Sequence, residues 1–526
     1  MVNKLLILVL LVFSVRVAIS QPVNTNLSNG IAFDGEPFIA INPVNSQNLV
    51  AAWMGIEFSG GQFLIAIKTR ASFDGGNSWS TVHSLPHFGT GFGSADPSMA
   101  FGRNGLLYAC YIDYRQLPDS GGVYVTRSSD GGRTWDTPSK AFDMYDVPDK
   151  RPIDRPWLVA DNSNTSNSGT LYITTKPAPW IAPPNRDYYK VSTDNGHTWT
   201  PIAPVDGGNH LTGDLIAAPM ASPATTFNGK FCAVYPSYVA TQNPFPVFYL
   251  AASADKGQTF SYTTVLAALS SPLDTNFKNG YHLMAHPSDS SKMIFLLPNA
   301  SNGDEDIMAL HSNDGGQTWS NLIRVNDDPV GNGKAQDMVW SAYNEQGKIV
   351  VTWRDRRNSV ASGFWNAGYD FYYSSSTDNG QTFSANQKLS SQFVTFDSII
   401  AANGNDFMSC AYKSDSLYTV WGDTRNGKMN IWFSKTIVST NTNSVISLLD
   451  GDESPWNIFP NPSVGEFHVE VCEKLIGKEL SVYDVSGKKI LTIIITGKRT
   501  TINPEKFGIG TYFIRVGMMV KRVVCN

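Results

Sequence analysis

Ser72-Phe73-Asp74-Gly75-Gly76-Asn77-Ser78-Trp79 is the first of six versions of one octapeptide, and its reading decides the fold. The others run Ser128 to Trp135, Ser192 to Trp199, Ser253 to Phe260, Ser312 to Trp319 and Ser376 to Phe383. Each keeps a serine, an aspartate two residues on, a glycine two further, then a Ser or Thr and a closing aromatic. An Asp at the head of a tight turn bonds the amides ahead of it, and the fixed Gly supplies a positive φ without a Cβ clash. The aromatic is expected to fold back into the sheet and anchor the hairpin. Successive aspartates lie 56, 64, 61, 59 and 64 positions apart, so one supersecondary unit recurs along the chain.

Around each turn the same grammar is legible. An acidic residue opens an inner strand, a second strand follows, a third leads into the octapeptide and a fourth leaves it. Glu36-Pro37-Phe38, Asp96-Pro97, Asp154-Arg155-Pro156-Trp157, a segment near Asp214, Tyr281-His282 without an acid, and Asp337 open the six units. A seventh, partial unit follows from Asp406 to Lys435 and has three strands and no octapeptide. Closing a ring of sheets requires its fourth strand, and the segment around Asn29 to Phe33 is expected to supply it.

The octapeptide resembles the Asp box, or bacterial neuraminidase repeat, of sialidase-like β-propellers. That resemblance implies an all-β chain whose residues 21–437 form a propeller. The repeat count gives seven blades, and the family's usual number leaves six as the alternative. Residues 438–454, through Ser439-Thr440-Asn441-Thr442 and Asp450-Gly451-Asp452-Glu453, read as a polar linker. Beyond it, Asn457-Ile458-Phe459-Pro460-Asn461-Pro462, Leu480 to Lys488 and Gly508-Ile509-Gly510-Thr511-Tyr512 resemble the C-terminal sorting domain of the type IX secretion system. This second resemblance implies a small β-sandwich over 455–526, a Bacteroidetes-type bacterium, the type IX machinery as partner, and a protein secreted or held at the outer cell surface.

At the other end, Lys4, the apolar run Leu5 to Phe13 and Ala18-Ile19-Ser20 have the layout of a signal peptide over residues 1–20. No later stretch approaches the roughly 18 apolar residues of a transmembrane helix. A net charge of −5 and a pI near 5.9 give no support for nucleic acid as partner. Five cysteines are too few for a disulfide framework. Cys110, Cys232 and Cys410 read as buried free thiols, whereas Cys472 and Cys525 share the last domain and are open to pairing.

Strand direction sorts the chemistry. In a four-stranded meander the octapeptide turns occupy one rim, so strand openers and the ends of second strands gather at the opposite rim. That rim collects Glu36, Asp96, Asp154, Arg155, Asp214 and Asp337 with Asp113-Tyr114-Arg115, Trp353-Arg354-Asp355-Arg356-Arg357 and Asp423-Thr424-Arg425. Converging polar groups in a concave mouth define the candidate site. The sialidase resemblance implies arginines gripping a substrate carboxylate through bidentate forks, here Arg115, Arg155, Arg354 and Arg425. It also implies an acid/base Asp, here Asp96 or Asp154, and a Tyr nucleophile, here Tyr281. The family's Arg-Ile-Pro signature is absent. The competing reading of each Asp-x-Arg is a salt bridge locking a turn to its neighbour, and that of the acidic openers is a loop cap.

Trp53, Tyr114, Trp157, Trp180, Tyr235, Trp353 and Trp365 are mouth aromatics that suit either sugar stacking or core wedging. The insert from Asn358 to Tyr369 is long enough for a rim loop. Asp304-Glu305-Asp306 reads as a solvated loop. No cofactor is implied. No Asp-x-Asp-x-Asp calcium loop and no zinc spacing around His282 and His286 is present, so no metal ligands are assigned. Two functions remain open: a glycoside hydrolase of sialidase type, or a non-catalytic propeller that binds glycan, glycoprotein or protein.

Overall fold

The computed structural model describes residues 22–59, 61–116, 119–239, 241, 246–267, 280–360, 367–395, 407–438, 456–484, 488–504, 508–516 and 519–525. Residues 1–20 expected as a signal peptide, nearly all of the expected linker and Trp365 therefore lie outside the described residues. The chain divides into two units, Met1–Ser439 and Thr440–Asn526.

In the first unit each repeat folds as a four-stranded antiparallel meander, and seven such sheets are found among the described residues. Their first strands are Asp34–Ile41, Gly93–Phe101, Asp154–Ala160, Ser222–Thr225, His282–Ala285, Gln336–Tyr343 and Ser409–Lys413, numbered here as sheets 1 to 7. Each first strand packs against the next, and that of sheet 7 packs against that of sheet 1, the cyclic order of a β-propeller. Sheet 7 is completed by Asn24–Asn26, whose residues pair with Ser434 to Trp432. The closing strand thus lies a few residues before the Asn29–Phe33 segment expected for it. Phe33 makes only an isolated parallel bridge to Met429.

The octapeptides are closed hydrogen-bond circuits. In every copy the glycine amide donates to the serine hydroxyl, as Gly76 does to Ser72 and Gly316 to Ser312, at 2.8 and 2.9 Å. The aspartate accepts the amide and hydroxyl of the Ser or Thr four residues on, as Asp130 does from Thr134 at 3.0 and 2.6 Å. The Ser78 hydroxyl holds the Asp74 carboxyl down to about 2, and Thr259 does the same for Asp255. The invariant glycine also sits against the preceding sheet. A Cβ on Gly132 would lie 2.7 Å from Val50, and one on Gly257 would lie 2.6 Å from the Tyr189 ring. Each turn is therefore a hairpin and a staple to its neighbour.

An aromatic cluster crosses the ring. Phe38, Trp157 and Trp340 each follow the bulge that opens their first strand, and Trp340 lies 5.5 Å from Phe38 and 5.3 Å from Trp157 between ring centres. Phe407 packs on Trp157 at 5.2 Å, and His282 stacks on Trp340 at 4.1 Å.

The second unit has a three-stranded sheet, Trp456–Phe459, Phe467–Val471 and Arg499–Ile502, and a four-stranded sheet built from Lys489–Ile494, Glu479–Tyr483, Gly510–Val516 and Met519–Cys525. Alternating Phe467, Val469 and Val471 join Leu480, Val482, Ile514 and Val516 in its core. All five cysteines are free: Cys110, Cys232, Cys410 and Cys525 are buried and Cys472 is exposed. No helix of the described residues is long and apolar enough to cross a membrane.

Candidate functional site

The two rims are separated as strand direction requires. In sheet 3 the ladder pairs Asp154 with Lys176 at one end and Leu171 with Ser192, the first residue of the turn, at the other. In sheet 6 Asp337 faces Arg354 and Asp355 faces Asp370, far along the strands from Ile349 and Ser376.

At the mouth rim four first strands open through the same β-bulge. It places Glu36, Asp96, Arg155 and Met338 at φ of 53°, 52°, 53° and 54°. Non-glycine residues in that region store backbone strain. The recurrence at the buried, apolar Met338 marks the bulge as architecture. What differs between sheets is the side chain it presents. The structural counterpart of Glu36 and Asp96 is thus Arg155, one residue later than the acidic opener Asp154.

Sheets 1, 2 and 3 use this bulge to gather an ionic cluster. Asp96 shares side-chain hydrogen bonds with both Glu36 and Asp154, and accepts the Arg155 amide at 3.0 Å. A bond between two carboxyl groups needs a proton on one of them. Burial, opposed by Lys176 and reinforced by the Asp96 charge, raises Asp154 to about 6. Asp96 is lowered despite its burial, by its bonds to Glu36, Arg155 and Asp154. Of the Asp96–Asp154 pair, Asp154 therefore keeps its proton to the higher pH and Asp96 ionises first. Lys176, 2% exposed, contacts Asp154, which keeps 12% of its side chain open. The Arg155 guanidinium lies over Phe407, 5.1 Å from the ring centre. Lys176 was missed in the sequence, although a hairpin register drawn from the turn would have set it opposite Asp154.

Tyr114 borders this cluster. Burial, then the charges of Asp96, Asp154 and Asp119, raise its phenol. Its ring stacks on Trp180 at 5.9 Å and 25°, and Trp180 is 45% exposed. Arg115 lies at the same edge, 5.7 Å from the centre of the Phe92 ring.

The remaining expectations fare differently. Arg354 is bidentate on Asp337, through Nε at 2.7 Å and through Nη2, and Arg356 binds the same carboxylate at 3.1 and 3.2 Å. Arg425 holds Asp423 at 2.6 Å and ties Asn24 and Ser391 to it at 2.8 and 3.0 Å. Both arginines are occupied as salt-bridge locks. Tyr281 is buried in the core, donates its hydroxyl to the Met220 carbonyl, and has its phenol pushed far up by burial. A spent, desolvated phenol is no nucleophile, and the assignment of Tyr281 is withdrawn. Asp214 is exposed outside any strand, because sheet 4 begins only at Ser222. Asp306 is not solvated: it is fully buried and bonded to Arg324 at 2.7 Å. Trp53 and Trp353 are core wedges whose indoles donate to Asp34 and Asp355 at 3.1 and 2.7 Å, and Tyr235 donates to the His210 carbonyl.

Comparisons with known proteins divide along the two units. Residues 457–524 match the family described as secretion system C-terminal sorting domain. A search of curated proteins gives no match. Among solved structures the chain is similar to a Dyadobacter fermentans protein of unknown function, at 15% identity over 63% of this chain and 94% of that one, with a TM-score of 0.40. It is also similar to the Hadza microbial sialidase Hz136, at 13% identity over 71% and 74%, TM-score 0.42. A third likeness is to a Penicillium chrysogenum alpha-L-arabinanase complexed with arabinobiose, at 13% identity over 79% and 99%, TM-score 0.41. At such identities and scores these likenesses bear on no activity. The C-terminal unit is a type IX secretion sorting domain, and the chain is delivered to the cell surface or beyond it.

Proposed function

We propose that this exported propeller binds glycans at the mouth formed by sheets 1 to 3. The observation that carries the reading is the half-exposed Tyr114–Trp180 ring pair beside the Asp96–Asp154 carboxyl pair. An aromatic face covers the apolar face of a sugar ring, while fixed carboxyls accept its hydroxyl protons. Arg155 and Arg115 flank the site as further donors. With Arg354 and Arg425 held by their own aspartates, the arrangement favours a neutral sugar over an acidic one.

One observation supports glycoside hydrolysis as a second reading: Asp154, whose carboxyl is raised to about 6 by burial, stands next to Asp96, whose carboxyl is lowered. A proton donor and an acceptor side by side are what acid/base cleavage uses. The test is calorimetric titration with neutral and sialylated oligosaccharides, followed by aryl-glycoside turnover. Trp180→Ala and Asp96→Asn are expected to weaken neutral-sugar binding by about tenfold or more. Equal binding by wild type and both variants refutes the mouth as the site. Turnover lost in Asp154→Asn and falling above about pH 6 selects the hydrolase reading.

A further inference from the structure

The hairpin joining the second and third strands of sheet 1 outruns its own sheet. Its first strand starts at Asp34, opposite Gly55, whereas the hairpin continues through Ile56 and Ile65, Glu57 and Leu64, and Phe58 and Phe63 to Ser59 and Gln62. Four residues at about 3.3 Å each raise it roughly 13 Å above the rim. Alternation puts Ile56, Phe58, Phe63 and Ile65 on the face of Met54 and Ile67, which packs toward sheet 2. Above the core this face is bare: Phe58 is 66% and Phe63 68% exposed, their ring centres 5.1 Å apart.

The base of the hairpin is braced. Lys68 donates to Glu57 at 2.6 Å and to Ser84 at 2.7 Å. His87, hydrogen-bonded to Asp113 at 2.8 Å, stands 3.8 Å from the other Glu57 oxygen. The exposed rings are thus presented by a fixed wall that stands beside the mouth.

We propose that this wall is a second sugar-stacking surface, so that the mouth takes a neutral glycan chain of several units rather than a single terminal residue. The inference rests on the reading of the mouth as a glycan site. Area argues for this occupant. Two phenylalanines and Ile65 offer about 300 to 400 Å², short of the roughly 800 Å² per partner that a stable protein interface buries. A sugar ring needs only one aromatic face. Charge agrees, because Glu57 and Lys68, on the opposite face of the hairpin from the rings, neutralise each other. From the wall, the rim runs by way of Phe92 and Arg115 to Tyr114 and Trp180, a path across three neighbouring sheets.

The full chain is titrated with xylo-, arabino- and cello-oligosaccharides of two to eight units, as wild type and as the Phe58→Ser/Phe63→Ser double variant. For at least one series, wild-type affinity is expected to rise with length. The double variant is expected to keep the disaccharide affinity and bind the hexamer about tenfold more weakly. Length-independent binding by wild type, or a double variant that follows wild type at every length, overturns the wall and leaves the mouth reading standing. Absence of binding in all series overturns both. A change of oligomeric state in the double variant, read by sedimentation, marks the wall as a self-association surface and also overturns the proposal.

Discussion

Asp154 illustrates how a buried carboxyl reconciles several neighbours. Beside Lys176 it is drawn toward ionisation, yet burial and Asp96 oppose the charge more strongly, and it ends near 6. A carboxyl raised on folding adds stability that is fully present below its unfolded value near 4 and is lost as pH rises through about 6. Asp154→Asn is therefore expected to remove a decline in stability between about pH 4 and pH 7, measured by chemical denaturation at closely spaced pH. The difference in slope is the readout, because Asn also leaves Lys176 without its counter-charge. A variant whose slope matches wild type shows that Asp154 does not titrate there. The sequence placed Asp96, Asp154 and Arg155 at one rim, where they do meet, but set the wrong pair in register. A bulge slips the count by one, so Arg155, not Asp154, repeats the position of Asp96. Arg354 and Arg425 had the right rim and the wrong role, since nothing local in Arg-Asp or Asp-x-Arg tells a lock from a clamp.

Among the elements, the octapeptide turn was fully legible because its bonds are internal to eight residues. Its serine, aspartate and Ser or Thr satisfy one another whatever the rest of the chain does. The glycine adds the one long-range demand. At Gly257 φ is +85° and the Tyr189 ring fills the space a side chain would take, while the Tyr189 hydroxyl donates to the Gly257 carbonyl. Gly257→Ala is expected to destabilise the propeller by about 2 to 3 kcal/mol, from a strained φ plus a clash with a rigid ring. A midpoint in urea within error of wild type speaks against the staple. The opening of sheet 4 was illegible for the converse reason. Its first strand, Ser222–Thr225, is four residues long and carries no acid, so the eye falls on Asp214 in the preceding loop.

For the whole molecule, repeat spacing announced a ring, and the missing fourth strand announced a seam. The exact strand was hidden, because Asn24-Thr25-Asn26 has no apolar alternation and is recruited by Asn430–Ile437 rather than by its own pattern. The thiols report on the intact chain. Burial pushes Cys232 and Cys410 up to about 12 and raises Cys110 well above the ordinary thiol value, whereas Cys472 is exposed. A thiol reagent is expected to label one cysteine per native chain and five after denaturation, with no change in Tm on adding reductant. Fewer than five in denaturant without reductant reveals a disulfide.

The seam has a consequence for biogenesis. Asn24 pairs with Ser434, so the beginning of the polypeptide has no strand to join until nearly all of it exists. A product truncated before Asn430 keeps sheet 1 with a raw flank, its Leu49, Ala51 and Trp53 deprived of Ile431 and Phe433. Such a fragment is sticky and open to proteases, which makes ring closure a built-in check on completeness before the protein meets the outside world.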